Sequence, residues 1–189
     1  MENNQKGFSL KVLVEGGMLA AICVILSQFV KITLMPNGGS VSLGGMLPIF
    51  IFAYRRGWTK GVFMGIVCAL VTFLIGEKYS FHPVSVLCDY VLPFAIMGLL
   101  PLFGRSIPKC MIGILAISAV RFISHTISGT VVFATPWVGS MVYNATYVIP
   151  ETIILMVLMA ILIKPFQNHG ILPTPGKNAL FMPKIKTDF

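Results

Sequence analysis

The sequence predicts an all-α integral membrane protein of six transmembrane helices with both termini cytoplasmic. Composition is the first observation: 56% of the 189 residues are hydrophobic, only 11% are charged, and mean hydropathy is +0.88. Soluble domains carry roughly 25% charged residues. The second is six apolar stretches separated by turn signals, at about 9–34, 41–54, 57–76, 84–103, 109–134 and 140–164, against the roughly 20 residues a spanning helix needs. The third is the placement of Lys and Arg. With six crossings, eleven of them (Lys6, Lys11, Arg55, Arg56, Lys60, Arg105, Lys109, Lys164, Lys177, Lys184, Lys186) share one side, Lys31 and Lys78 take the other, and Arg121 is internal. The positive side is the cytoplasmic one.

The net charge of +8 does not point to nucleic acid, because the basic residues end apolar runs and do not cluster on a solvated face. MENNQKGFSLK runs into the first apolar segment without a small-residue cleavage site, so that helix is expected to stay. It carries LVEGGMLAAICVI, in which Gly16 and Gly17 precede Ala20 and Ala21 by four residues; such a face lets another helix approach closely, and Gly61 and Gly65 repeat the pattern in the third helix. Glu15, four residues from Lys11, has the spacing of a local ion pair.

The second helix is short. Before it lies MPNGGSVSLGG, and Pro48 is expected to interrupt it. Irregular backbone at membrane depth must be buried in protein or line a cavity; an ordinary surface loop is the other reading. Residues 1–166 form the predicted six-helix membrane domain. Residues 167–189, with Pro173, Pro175, Pro183 and scattered Lys, form a loosely ordered basic cytoplasmic tail. No internal repeat is visible, against transporters built from inverted halves. Cys23, Cys68, Cys88 and Cys110 stand singly without metal or redox spacing and read as packing residues. Neither a metal nor a cofactor is expected.

Polar residues inside the last two spans carry the functional signal, since each ionisable group at membrane depth costs roughly 2.5 to 3.5 kcal/mol on insertion scales. At 1.5 Å per residue, Arg121 lies about 18 Å above Lys109 and Glu151 about 20 Å above Lys164, which predicts an ion pair of structural role. Asp89, His125 and Tyr147 lie about 24 to 26 Å above Arg105, Lys109 and Lys164, at one outer level. Arg121, His125 and Gly129 share a face of the fifth helix; Asn144, Tyr147 and Glu151 share one of the sixth, and Tyr143 recurs with Tyr147 at four residues. Both faces are expected to look into a cavity.

Asp89 and Glu151 against Arg121 leave one carboxylate in excess if His125 is neutral, and such a group takes a proton or waits for a cation. Tyr90, Tyr143, Tyr147, Phe133 and Trp137 offer surfaces for a flat cationic ligand. Trp137 could equally belong to an interface belt, as Tyr79 and Phe81 do. HExxH, GxSxG, zinc spacings and a phosphate-binding P-loop are all missing, so an intramembrane enzyme using His125 and Asp89 as acid and base is a weaker alternative. Active transport would need outside energy.

The runs GGSVSLGGMLPIFIFAYRRG at 38–57, LCDY at 87–90, RFISHTISG at 121–129 and YNATYVIPE at 143–151 resemble the thiamine-specific substrate-binding (S) components of energy-coupling-factor (ECF) vitamin transporters, the ThiT group. The resemblance extends to about Phe166. It implies the ECF S-component fold in the prokaryotic cell membrane, capture of thiamine from outside, and association with a membrane coupling subunit and two cytoplasmic ATPases. It also implies that Asp89 and Tyr90 recognise the pyrimidine, that His125, Gly129 and Asn144 are ligand contacts, and that Gly17 with Ala21 contact the coupling subunit. Two positions depart: some members have Trp where this chain has Gly38 and Gly39, or Phe133, and Trp137 or Tyr143 would have to compensate. A related vitamin or a thiamine precursor is an alternative ligand, and a ligand sensor without transport an alternative role.

Overall fold

The protein is described here from a computed structural model, which covers residues 9–33, 39–172 and 174. The expectations placed on Lys6, Gly38 and the tail beyond Leu172, Thr174 apart, lie outside the described residues. Six helices form the bundle: α1 (Leu10–Phe29), α2 (Leu47–Arg56), α3 (Trp58–Ile75), α4 (Pro83–Met97), α5 (Ile107–Val131) and α6 (Trp137–Asn168). Of these, α1, α3, α5 and α6 are long and apolar enough to cross a membrane. At ten residues α2 spans only about 15 Å.

The first departure from the sequence reading lies between α1 and α2. Helix α1 stops at Phe29, not 34, and α2 starts at Leu47, not 41. Between them β1 (Lys31–Thr33) pairs antiparallel with β2 (Ser40–Ser42) in the register Lys31↔Ser42, Ile32↔Val41, Thr33↔Ser40. A ladder satisfies backbone groups that find no water at membrane depth. Gly44, at φ +81°, then turns the chain toward α2. Pro48 does not interrupt this helix. It lies in the first turn, where its missing N–H is no loss.

Helix α2 is the buried centre, with Ile49, Phe50 and Ala53 fully buried among Met97, Leu100, Ile114, Leu155 and Met159. Close approach of α3 depends on glycine: a Cβ at Gly65 would stand 2.3 Å from the Phe94 carbonyl oxygen, and one at Gly61 2.5 Å from Ala53 Cβ. On α1 the small residues divide. Gly16 meets the Phe52 ring, whereas Gly17 faces open space and Ala21 is exposed. The expected Lys11–Glu15 pair is replaced: Glu15 binds Arg55 Nε at 2.6 Å and Arg56, because α2 ends on the face of α1 that carries Glu15. Leu172, past the end of α6, is buried against the core.

Helix α4 changes gauge. Residues Val86–Val91 form a π-helix, in which the Leu92 N–H reaches back to the Leu87 carbonyl. Pro93, two residues past this segment, has no N–H to offer the turn above it. The register shift releases the Cys88 carbonyl, which accepts the Ser124 hydroxyl of α5 at 2.6 Å. Asp89 sits in the middle of the widened turn, where π-bulges commonly occupy functional sites.

Candidate functional site

A cavity of about 390 Å³ opens between the end of α1, the hairpin, the end of α3, the π-helical turn, and the facing sides of α5 and α6. It is lined by Asp89, Tyr90, Arg121, His125, Gly129, Phe133, Tyr143, Asn144, Tyr147 and Glu151, all singled out from sequence. Trp137, also singled out, is not among the lining residues. It is half exposed at the start of α6, between the lining residues Thr135 and Gly139.

The polar groups form one chain of hydrogen bonds. Asp89 Oδ2 accepts from Ser85 Oγ at 2.7 Å and Ser128 Oγ at 2.5 Å, and Oδ1 lies 3.0 Å from His125 Nδ1. On the far side of the ring, Arg121 Nε donates to His125 Nε2 at 3.2 Å. A guanidinium can only donate, so Nε2 must be the acceptor and the proton sits on Nδ1, pointing at Asp89. Arg121 Nη1 binds Glu151 Oε2 at 2.5 Å, both side chains being buried. Glu151 Oε1 in turn accepts from the Ser42 N–H at 3.3 Å and from the Ser42 hydroxyl.

The two depth tiers read from sequence are therefore joined through His125. Glu151 is neutralised by Arg121, whereas Asp89 is met by a neutral imidazole and two hydroxyls. Its negative charge is thus held in place without being cancelled. Glu77 and Lys31 also line the cavity; with them, among the described residues, three carboxylates face two cations and the excess of one carboxylate persists.

On α6, Asn144 donates to the Ser140 carbonyl at 2.8 Å and accepts the Tyr147 hydroxyl at 2.5 Å. Tyr143 and Tyr147 meet edge to face, with Tyr147 also against the His125 ring. The Tyr143 hydroxyl accepts the Gly39 N–H at 3.0 Å, tying the hairpin to the wall. Gly129 is demanded by packing: a Cβ there would lie 2.2 Å from Ser140 Oγ. Tyr90 packs edge-on against Phe73 and its hydroxyl donates to the Glu77 carbonyl at 3.2 Å. At the outer rim, the hydroxyl of exposed Tyr79 bonds Glu77, whose carboxylate raises the phenol to about 12.

Sequence reasoning passed over Ser42, Ser85, Ser140, Glu77 and Lys31. Ser85 could have been found, since it precedes Asp89 by one helical turn. Ser42 could not, because its partner Glu151 is 109 residues away.

A helical bundle with four helices long and apolar enough to cross a membrane, and a charged, aromatic-lined cavity between them, is the architecture of a helical membrane protein. The fold is similar to that of a solved ThiT from Listeria monocytogenes, with TM-score 0.74 and 23% identity over 87% of this chain and 98% of that one. It is also similar to a solved S component of a bacterial ECF transporter, with TM-score 0.57 and 21% identity over 84% and 94% of the two chains. The family described as thiamine transporter protein matches residues 13–169. The thiamine transporter ThiT of Bacillus subtilis is 36% identical over 171 residues, 79% of this chain and 88% of that protein, and the ThiT of Lacticaseibacillus paracasei is 23% identical over 183 residues. The chain belongs to the thiamine transporter family. That is a family of transporters, not of enzymes.

Proposed function

We propose that this chain is the substrate-binding membrane subunit of an ECF-type transporter and that it captures thiamine from outside the cell. The observation that carries the reading is Asp89: a carboxylate at the cavity wall, fixed by three neutral donors and left with its charge uncancelled. Thiamine carries the permanent charge of its thiazolium ring and two flat rings, which suits a cavity with one carboxylate in excess and the aromatic faces of Tyr90, Phe133, Tyr143 and Tyr147, the pyrimidine lying at Asp89 and Tyr90. His125, Gly129 and Asn144 complete the proposed contacts. Trp137 is assigned to the rim, over the ligand. Arg121 and Glu151 hold α5 to α6 and keep His125 in the tautomer that faces Asp89.

The chain lacks a phosphate-binding loop, so uptake draws on partners: a membrane coupling subunit and two cytoplasmic ATPases. Gly17 and Ala21, on the outward face of α1, are the proposed contact with the coupling subunit. The proposed setting is a prokaryotic cell membrane crossed several times, both termini cytoplasmic, with residues 1–166 as the membrane domain and 167–189 as a basic tail. Titration of the purified protein with thiamine, riboflavin and the separate pyrimidine and thiazole alcohols tests the ligand. Saturable binding of thiamine, with each half weaker by at least about a hundredfold, about 2.7 kcal/mol, is expected. Equal binding of riboflavin, or none of thiamine, refutes the reading.

A further inference from the structure

We propose that the groove between α1, the end of α2 and the end of α6 binds an anionic glycerophospholipid of the cytoplasmic leaflet, its phosphate at Lys11 and Arg55 and an acyl chain along α1. The inference takes only the membrane setting and orientation from the proposed function; the cavity around Asp89 plays no part in it. The groove is a second cavity, of about 660 Å³. Leu19, Ile51 and Phe166 form its floor, where they pack on the bundle core, and Val14, Met18 and Ile22 form its exposed α1 wall.

Charge is concentrated at one end of this groove, where Lys11 and Arg55 line it together with Glu15. Glu15 is already engaged: one carboxylate oxygen meets Arg55 Nε at 2.6 Å and the other meets Arg56. Three cations therefore stand against one anion. Lys11 has no ion-pair partner among the described residues, and Arg55, its side chain 30% exposed, uses one of its five N–H groups on Glu15. The first turn of α1 holds no acidic residue, so the positive end of the helix dipole adds to the same field. A phosphodiester is the complementary anion. No carboxylate is left over there to meet the ammonium of a zwitterionic headgroup, which favours a lipid of net negative charge.

The dimensions match one leaflet. From Lys11 to Ile22 the helix rises about 16 Å, half of the roughly 30 Å hydrocarbon core of a bilayer. Helix α1 is long and apolar enough to cross that core, and Trp58, half exposed two residues past Arg56, is the kind of side chain that settles at headgroup level. An acyl chain that enters at the charged end thus follows apolar groove through the whole depth of its leaflet. The contact proposed for the coupling subunit lies elsewhere on the helix. Gly17 and Ala21 do not line the groove, and each is turned by about 100° from its neighbour Met18 or Ile22, so a lipid and a coupling subunit can sit on different sides of α1.

The test is a titration of the delipidated full-length protein and its Lys11→Gln and Val14→Trp variants, read by native mass spectrometry. The probes are phosphatidylglycerol, phosphatidylcholine with the same chains, and glycerol phosphate. Wild type should take one phosphatidylglycerol about tenfold or more tighter than phosphatidylcholine, and glycerol phosphate far more weakly than either. Lys11→Gln should lose about fivefold for phosphatidylglycerol, the worth of one cation near an anionic headgroup, and less than about twofold for phosphatidylcholine. Val14→Trp, a bulky side chain at an exposed position in the groove, should weaken both lipids by about fivefold or more. Both substitutions are on the outer side of α1, so the lipid-free unfolding temperature should stay at that of wild type, which separates loss of the site from loss of the fold. Equal affinity for the two lipids, no loss in Lys11→Gln, or glycerol phosphate bound as tightly as phosphatidylglycerol would overturn the assignment. So would unchanged phosphatidylglycerol binding in Val14→Trp together with loss of a copurifying coupling subunit, since a protein would then be what covers the groove. Failure of wild type to bind thiamine would instead overturn the proposed ligand and leave these lipid comparisons standing.

Discussion

Replacing Asp89 by Asn separates charge from shape. The amide can keep its oxygen toward His125 Nδ1 and turn its NH2 toward Ser85 and Ser128, whose hydroxyls rotate to accept. Packing is then preserved and the thermal midpoint should stay near that of wild type. What is lost is attraction for a cation. Two unit charges 4 Å apart at an effective dielectric of about 20 attract by roughly 4 kcal/mol. Asp89 is 23% exposed, so solvent screens part of this, and we expect at least about 1.4 kcal/mol, a tenfold rise in Kd. Calorimetric titration measures it directly. A neutral analogue, with a benzene ring in place of thiazolium, should bind both proteins alike. Asp89→Asn binding thiamine within twofold of wild type, while folded, would refute the argument that the uncancelled carboxylate selects the cation.

Three further perturbations address the rest of the structure. Arg121→Met strands Glu151, which is 2% exposed, and should cost about 3 to 5 kcal/mol of stability, with part recovered in the Arg121→Met, Glu151→Gln double variant; unfolding in detergent reads both. Gly129→Ala drives a methyl into Ser140 Oγ and should weaken thiamine binding at least tenfold, about 1.4 kcal/mol, with Ser140→Gly restoring part of it. Gly17 is exposed and a Cβ there would have no neighbour within 4 Å among the described residues, so with Gly17→Leu the thiamine affinity of the isolated protein should hold while uptake in cells carrying the coupling partners falls; weakened binding in the isolated protein would place Gly17 elsewhere in the mechanism.

Reading along the chain reached most of the site because helical spacing is local. Arg121, His125 and Gly129 fall on one face of α5 by arithmetic, as do Asn144, Tyr147 and Glu151 on α6, and rise per residue alone brings Arg121 to the level of Glu151. Those residues all line the cavity. Contacts between helices followed less well. Glu15 has the right spacing for Lys11, yet rotation of α1 about its axis presents it to Arg55 and Arg56 instead, and no pattern within α1 encodes that rotation.

By itself the sequence determined that this is a membrane protein of six apolar segments, that its cost in buried polar groups is concentrated on α4, α5 and α6, and that one carboxylate exceeds the cations there. Those are properties of composition and of a period of 3.6 residues, and they survive any rotation of the helices. Only the tertiary structure decided the hairpin between α1 and α2, the π-turn that carries Asp89 and frees the Cys88 carbonyl for Ser124, and the proton position on His125. Each depends on which atom of another element stands within about 3 Å, and a hydrogen bond is decided at that range.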